Sequence, residues 1–341
     1  MIDFKEILKT PEYEFLKTNP HLGDNIILLG LGGSHAYGTN VAGSDIDIRG
    51  VALNSKEEIL GAANFEQVVN NETDTTVYSL RKITSLLTSC NPNTIELLGL
   101  KPEHYLYLSS IGQELLDNKK LFLSKRAVQS FGGYAFSQLR RLDNKAARSV
   151  DQEAREQHIL NSITAATYVW PDKYGCFKTG EGIKLYLDDS EQEDMDKEIF
   201  MDIHLTHYPL RDYKNMLTEM KNVIADYDKI GHRNQNAIEK GKLGKHMMHL
   251  VRLYLMCIDI LEKEEINTYR ENDIPFLMEI RNGKFLDQDS LPIPEFYDLV
   301  KDFEVRLSYA AANTSLPDRP DMKAINDFLM DVNERVVLNK I

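Results

Sequence analysis

The chain has 341 residues, enough for two domains of ordinary size or one large one, and its 42% hydrophobic and 27% charged content is that of a folded globular protein rather than a disordered one. Forty basic against 53 acidic side chains leave a net charge of −13. That balance excludes a surface coated in positive potential for non-specific nucleic-acid binding, while leaving room for a local basic groove over a nucleotide.

Residues 1–18 read as a short amphipathic helix with Phe4, Ile7, Leu8 and Phe15 on one side. Asn25 to Leu31 is a nearly continuous apolar run ending in glycines, the pattern of a buried strand. A small-residue segment, Gly32–Gly43, leads to a second predicted strand over Asp45–Leu53, followed by strands over Phe65–Asn71 and Thr75–Leu80 around the polar turn Asn70–Asp74. Arg81–Cys90 turns helical, and Asn91-Pro92-Asn93 supplies a stop and a new N-terminus before Ile95–Leu100. Beyond about residue 105 helices dominate, at 126–147, 151–168, 209–230, 235–262, 273–282 and 321–338, with an irregular acidic excursion at 169–200. The expected architecture is α+β: a mixed sheet with flanking helices over 1–105 and a larger, mostly helical domain over 106–341. Three scattered cysteines (Cys90, Cys176, Cys257) with no C-x-x-C pair exclude a zinc knuckle and a redox dithiol. The mixed-charge N-terminus lacks the run of a signal peptide, and no stretch approaches the roughly 18 apolar residues of a membrane span, so a cytoplasmic location is expected.

The chemistry concentrates in Gly30-Leu31-Gly32-Gly33-Ser34-His35-Ala36-Tyr37-Gly38-Thr39, followed by Ser44-Asp45-Ile46-Asp47. A dinucleotide fingerprint starting at Gly30 fails because His35 stands where the third glycine belongs. A Walker loop over Gly33 and Gly38 fails because Thr39 replaces the lysine that reaches the phosphates. What is left is a strand, a Gly33-Ser34 turn and, ten residues on, Asp-x-Asp opening a second strand. A glycine there lets the backbone approach a ligand, and successive amides can cradle phosphate oxygens. Aspartates two apart on a strand share one face, roughly 6.5–7 Å apart, and can together ligate a hard cation.

Gly33-Ser34 with Ser44-Asp45-Ile46-Asp47-Ile48-Arg49-Gly50 resembles the signature of the polymerase-β-like nucleotidyltransferase superfamily. More narrowly, the run from Gly32 to Val51 resembles a family of nucleotidyltransferases of bacteria and phages associated with RNA ligases. Asp74–Lys82, Asn91–Glu96, Lys245…His249…Arg252 and Ile280–Gly283 are similar to it as well. The resemblance implies two magnesium ions (manganese as substitute) bridged by Asp45 and Asp47, with a third carboxylate from a neighbouring strand. Asp74 is the candidate, against a plain role as a turn aspartate, with Glu66 and Glu72 the next to check. It also implies Gly33, Ser34 and Ser44 on the nucleotide side. Lys245, His249 and Arg252 fall within about 60° of one another on a helix and are expected to reach the triphosphate. The implied activity is transfer of a nucleoside monophosphate from an NTP to an acceptor hydroxyl, an RNA (tRNA-like) 3′ end in repair beside a ligase. Alternatives are a protein or small-molecule hydroxyl, or a silent nucleotide sensor.

Overall fold

The computed structural model describes residues 4–147, 156–157, 159–161, 163–164, 174, 183–190, 197–232, 243–288 and 291–340. The described residues divide into two compact units: Met1–Ser137, Met248–Ile280 and Glu295–Ile341 form the first, and Gln138–Met247 with Arg281–Pro294 the second. The unit that holds the sheet therefore runs past the boundary expected at residue 105 and takes in helices from the end of the chain.

The first unit is built on a five-stranded sheet whose strands lie side by side in the order 67–70, 75–79, 48–52, 26–31 and 105–108. The run IILLGL forms β1 (Ile26–Leu31), and all six residues are buried. A strand apolar on both faces can only sit where both faces are covered, and β1 accordingly lies inside the sheet. It pairs antiparallel with β2 (Ile48–Ala52) on one side and with β5 (Tyr105–Leu108) on the other. β4 (Thr75–Ser79) runs parallel to β2, and β3 (Gln67–Asn70) closes that edge as the first arm of a hairpin with β4. The hairpin turn forms because the Asn70 side-chain oxygen accepts from the amides of Glu72 (2.9 Å) and Thr73 (3.1 Å), and Asp74 takes a positive φ of 46°.

Ser79 then caps the helix Leu80–Thr88 by accepting from the Lys82 amide, and Leu80, Ile83, Thr84 and Leu87 turn its apolar side inward. Asn91 caps the next helical turn, Pro92–Ile95, with proline at the first position. These are the elements the sequence pattern predicts. Others differ. The expected helix over residues 1–18 is three short pieces, Phe4–Ile7, a 3₁₀ turn at Pro11–Tyr13 and Phe15–Thr18, because Pro11 begins a new turn and donates no amide. The second strand starts at Ile48, so Asp45 and Asp47 lie in the loop before it.

The helix Leu243–Lys263 is covered almost all round: Met248, Leu250, Val251, Leu253, Met256, Cys257, Ile260 and Leu261 are buried. A helix apolar on every side is a core element. The helices Ile274–Arg281 and Met322–Val337 match expectation, and Pro294–Asn313, opened by a proline, was not anticipated. In the second unit, the acidic excursion contains an antiparallel pair, β6 (Ile183–Asp189) with β7 (Lys197–Ile203). Carboxylates depress strand propensity, which hid these strands in the pattern. In the same unit Met216 and Met220 of the helix Leu210–His232 pack with Tyr174. Most of the predicted helix 151–168, Trp170 and Cys176 lie outside the described residues.

Candidate active site

Where β1 ends, Gly32 is extended and Gly33 turns into the left-handed region at φ 55°, opening the five-residue helix Gly33–Tyr37. Gly38, at φ 72°, ends it, and a side chain there would run into Tyr269 and Ile274. The Gly32 amide donates to the Asp47 carbonyl at 2.8 Å, which closes the loop between β1 and β2. Asp47 is thereby laid across Gly33: a Cβ on Gly33 would overlap the Asp47 Oδ2 atom and come within 2.8 Å of its Cγ. Gly33 is thus required both by its backbone and by the carboxylate pressed against it.

Arg49 ties this corner together. Its Nη2 lies 3.4 Å from Asp47 Oδ1, while Nη1 donates to the carbonyls of Asp74 (2.6 Å) and Ile48 (2.9 Å). The parallel register begins with Ile48 against Thr75, and the Ile48 amide donates to the Asp74 carbonyl at 3.2 Å. Asp74 meets Arg49 through its main chain; its carboxylate is exposed and is felt at Tyr13, whose hydroxyl pKa is raised by burial first and by Glu12 and Asp74 after it. Asp45 is exposed on the loop. Among the described residues no three His, Cys, Asp or Glu side chains group so as to hold a metal ion. The three-carboxylate cluster expected of Asp45, Asp47 and Asp74 is therefore not assembled here. The cause is local: the alternation that would aim both loop aspartates to one side applies only within a strand, and β2 begins after them.

Ser34 is partly exposed on the turn. Ser44 is committed to its own loop: its hydroxyl oxygen accepts from the Val41 amide at 2.9 Å, and its carbonyl lies 3.3 Å from His35 Nε2. The cationic set separates. Lys245 is exposed and belongs to the second unit. His249 is partly buried, 6.4 Å from the Tyr37 ring and edge-on to Tyr134 at 6.1 Å. Arg252, expected to reach phosphate, is 1% exposed. Its Nη1 lies 3.2 Å from Glu96 Oε2, its guanidinium stacks 3.6 Å over the Tyr37 ring, and Nη2 lies 3.4 Å from His249 Nδ1. A guanidinium enclosed in this way holds the interior together and meets no ligand from solvent.

Glu96 is the residue that sequence reasoning missed. Tyr37 donates its hydroxyl to both carboxylate oxygens (2.8 and 2.9 Å), and the Thr268 hydroxyl donates to the Glu96 carbonyl at 2.6 Å. Burial raises the Glu96 pKa, opposed by Arg252 and the Tyr37 bond, and burial also lifts the Tyr37 hydroxyl well above its ordinary value. The signal was a lone carboxylate within the apolar run Ile95-Glu96-Leu97-Leu98, which burial tolerates only when a partner is supplied. The segment carrying the Gly33 turn, the Asp47 loop and the Glu96 run is now fully placed. Residues 8–169 match the RlaP family, described as an RNA repair pathway DNA polymerase beta family. The resemblance read from the glycine and aspartate signature is thereby shown over that segment, and with it the α+β fold class. The RlaP match implies a polymerase-β-like nucleotidyltransferase in an RNA repair pathway. His249 and Arg252 lie beyond the matched residues. The chain is also 24% identical over 338 residues to an uncharacterized 38.9 kDa protein in the nrdC-mobD intergenic region of Enterobacteria phage T4, across 90% of this chain and 95% of the phage protein. No solved structure matches the chain. Among the described residues no helix is long and apolar enough to cross a membrane.

Proposed function

We propose that the chain is a magnesium-dependent nucleotidyltransferase that transfers a nucleoside monophosphate from an NTP to the 3′-hydroxyl of an RNA, in the cytoplasm and beside an RNA ligase. The observation that carries this reading is the Asp47 carboxylate laid against the positive-φ Gly33 at the end of β1. The donor set suits a hard cation: magnesium commonly takes one or two protein carboxylates and completes its shell with water and substrate phosphates, so Asp45 and Asp47 suffice without a closed three-residue cage. When bound, such ions (manganese as a substitute) neutralise triphosphate charge and make an acceptor hydroxyl more acidic.

The chain's own residues supply the rest. The first amides of the Gly33–Tyr37 turn have no carbonyl within the helix to bond, and together with the Ser34 hydroxyl they are donors for phosphate oxygens. Arg49 holds the Asp47 loop against the start of β4 through the Asp74 carbonyl, leaving the Asp74 carboxylate exposed. Ser44 shapes the loop that carries Asp45. His249 is the side chain of the first unit offered to the triphosphate, whereas Arg252 acts at one remove, positioning Tyr37 and Glu96 behind the turn.

Incubation with magnesium, labelled NTPs and a mixed RNA pool should release pyrophosphate and label RNA 3′ ends, and Asp47→Asn should abolish both while the protein stays folded. Nucleotide binding without pyrophosphate release on RNA, tRNA or protein acceptors would favour a silent sensor and sink the enzyme reading. Label on protein with none on RNA would move the acceptor.

A further inference from the structure

In a cleft of about 400 Å³ the lining side chains Asp259, Lys263, Arg270 and Asp273 are already paired with one another, and the groove along the β5 edge offers no occupant. A third depression differs. It measures about 320 Å³ and is lined by Ser89, Asn91, Asn93, Ser130, Gly133 and Tyr134, all of the first unit. Its wall is a stretch of the helix Arg126–Ala147 with glycine at 132 and 133, and a Cβ at Gly133 would meet nothing within 4 Å. Glycine inside a helix costs about 0.5–1 kcal/mol relative to alanine, and here neither φ nor crowding demands it. The space it leaves is therefore kept open at some cost to the helix.

The lining has the chemistry of base recognition. Tyr134 lines one side with an aromatic ring. The Ser130 hydroxyl donates to the Ser89 carbonyl and fastens the helix to the segment opposite. The Asn91 carboxamide oxygen accepts from the Asn93 amide at 3.0 Å, which leaves the Asn91 NH₂ group and the exposed Asn93 carboxamide as donors and acceptor for a planar heterocycle edge. Tyr134 at the cleft wall meets His249 edge-on at 6.1 Å, and His249 lies 6.4 Å from the ring of Tyr37, the last residue of the short helix that Gly33 opens. Its volume is at the lower end of small-molecule sites, the size for a base and not for a whole nucleotide.

We propose that this cleft is the nucleobase subsite of the incoming NTP, with the base against Tyr134 and its edge on Asn91 and Asn93. The proposal rests on the nucleotidyltransferase reading above. Its test compares binding of each of the four magnesium NTPs with binding of magnesium tripolyphosphate, by equilibrium dialysis, for the wild type and Gly133→Leu. The wild type should bind its best NTP more tightly than tripolyphosphate. Gly133→Leu should lose about tenfold or more of that NTP affinity and keep tripolyphosphate affinity, since stacking and edge contacts are lost while the phosphate contacts stay. Unchanged tripolyphosphate binding certifies the fold of the variant, and Gly133→Ala, too small to fill the cleft, should bind the NTP nearly as the wild type does. Wild-type NTP preference retained in Gly133→Leu, or no preference for NTP over tripolyphosphate in the wild type, overturns the base subsite alone. If the wild type binds neither ligand, the nucleotidyltransferase reading falls, and the subsite with it.

Discussion

At Gly33 two demands meet on one atom. The backbone stands at φ 55°, and the place of a Cβ is taken by the Asp47 carboxylate. Gly33→Ala should therefore cost about 1–3 kcal/mol through backbone strain alone and should also displace Asp47. A lowered Tm in thermal unfolding, together with lost nucleotidyl transfer, is the expected result; a variant with wild-type Tm and turnover would show that neither demand is real. Asp259 offers a pH-dependent case. Burial works to raise its carboxyl pKa, but hydrogen bonds from Lys263 and Arg270 (the latter 2.5 Å away) outweigh it and hold the pKa below the ordinary carboxylate value. A folded pKa that is depressed contributes stability above the unfolded value and loses it as pH falls through the folded one. Asp259→Asn should accordingly cost about 1.5–3 kcal/mol near pH 7, because Arg270 loses one of its two carboxylate partners and keeps only Asp273. In urea unfolding the gap between variant and wild type should close only below the ordinary carboxylate range, and a gap independent of pH would rule the pair out as its source.

At the scale of elements, the helix Leu243–Lys263 and the run Pro92–Gly99 are joined through charge. Arg252, Glu96 and Tyr37 are buried together, and Thr268 in the segment after the helix bonds the main chain of the same run: its hydroxyl donates to the Glu96 carbonyl and its amide to that of Gly99. Removing one partner strands a charge where no water can solvate it, so Glu96→Ala should destabilise by about 3–5 kcal/mol, while Glu96→Ala combined with Arg252→Met should recover part of the loss. Urea denaturation of the four proteins of that cycle measures the coupling, and strictly additive effects would show that the pair does not interact. The same network buries Arg252, which its sequence spacing points toward phosphate. Its spacing with Lys245 and His249 is a true helical face, but periodicity reports which residues share a face and not which faces are covered.

For the whole molecule, the matched segment 8–169 does not coincide with a compact unit. The unit that holds the sheet also takes in Met248–Ile280 and Glu295–Ile341, which carry Arg252, Thr268 and the helices Pro294–Asn313 and Met322–Val337. A fragment ending at residue 169 should therefore lack cooperative unfolding by circular dichroism, because Glu96 and the apolar faces around it have lost their cover. A sharp transition in that fragment would show that the later helices are dispensable for the core.

Residues 26–31, the turn at Asn70–Asp74, the capped helix after Ser79 and the Gly33…Asp47 signature were all legible in the sequence. Each depends on contacts within a few residues or on a run apolar enough to have one destination. The sheet order, with β2 parallel to β4 and β1 between β2 and β5, came only with the tertiary structure, since register is set by partners distant in sequence. So did the start of β2 at Ile48, which leaves Asp45 and Asp47 on a loop, and the burial of Arg252 against Glu96, 156 residues away. A charged side chain reads the same in a sequence whether it faces water or a partner brought to it by folding. Only the packed chain decides which, because the energy that settles the matter is the cost of removing that charge from water.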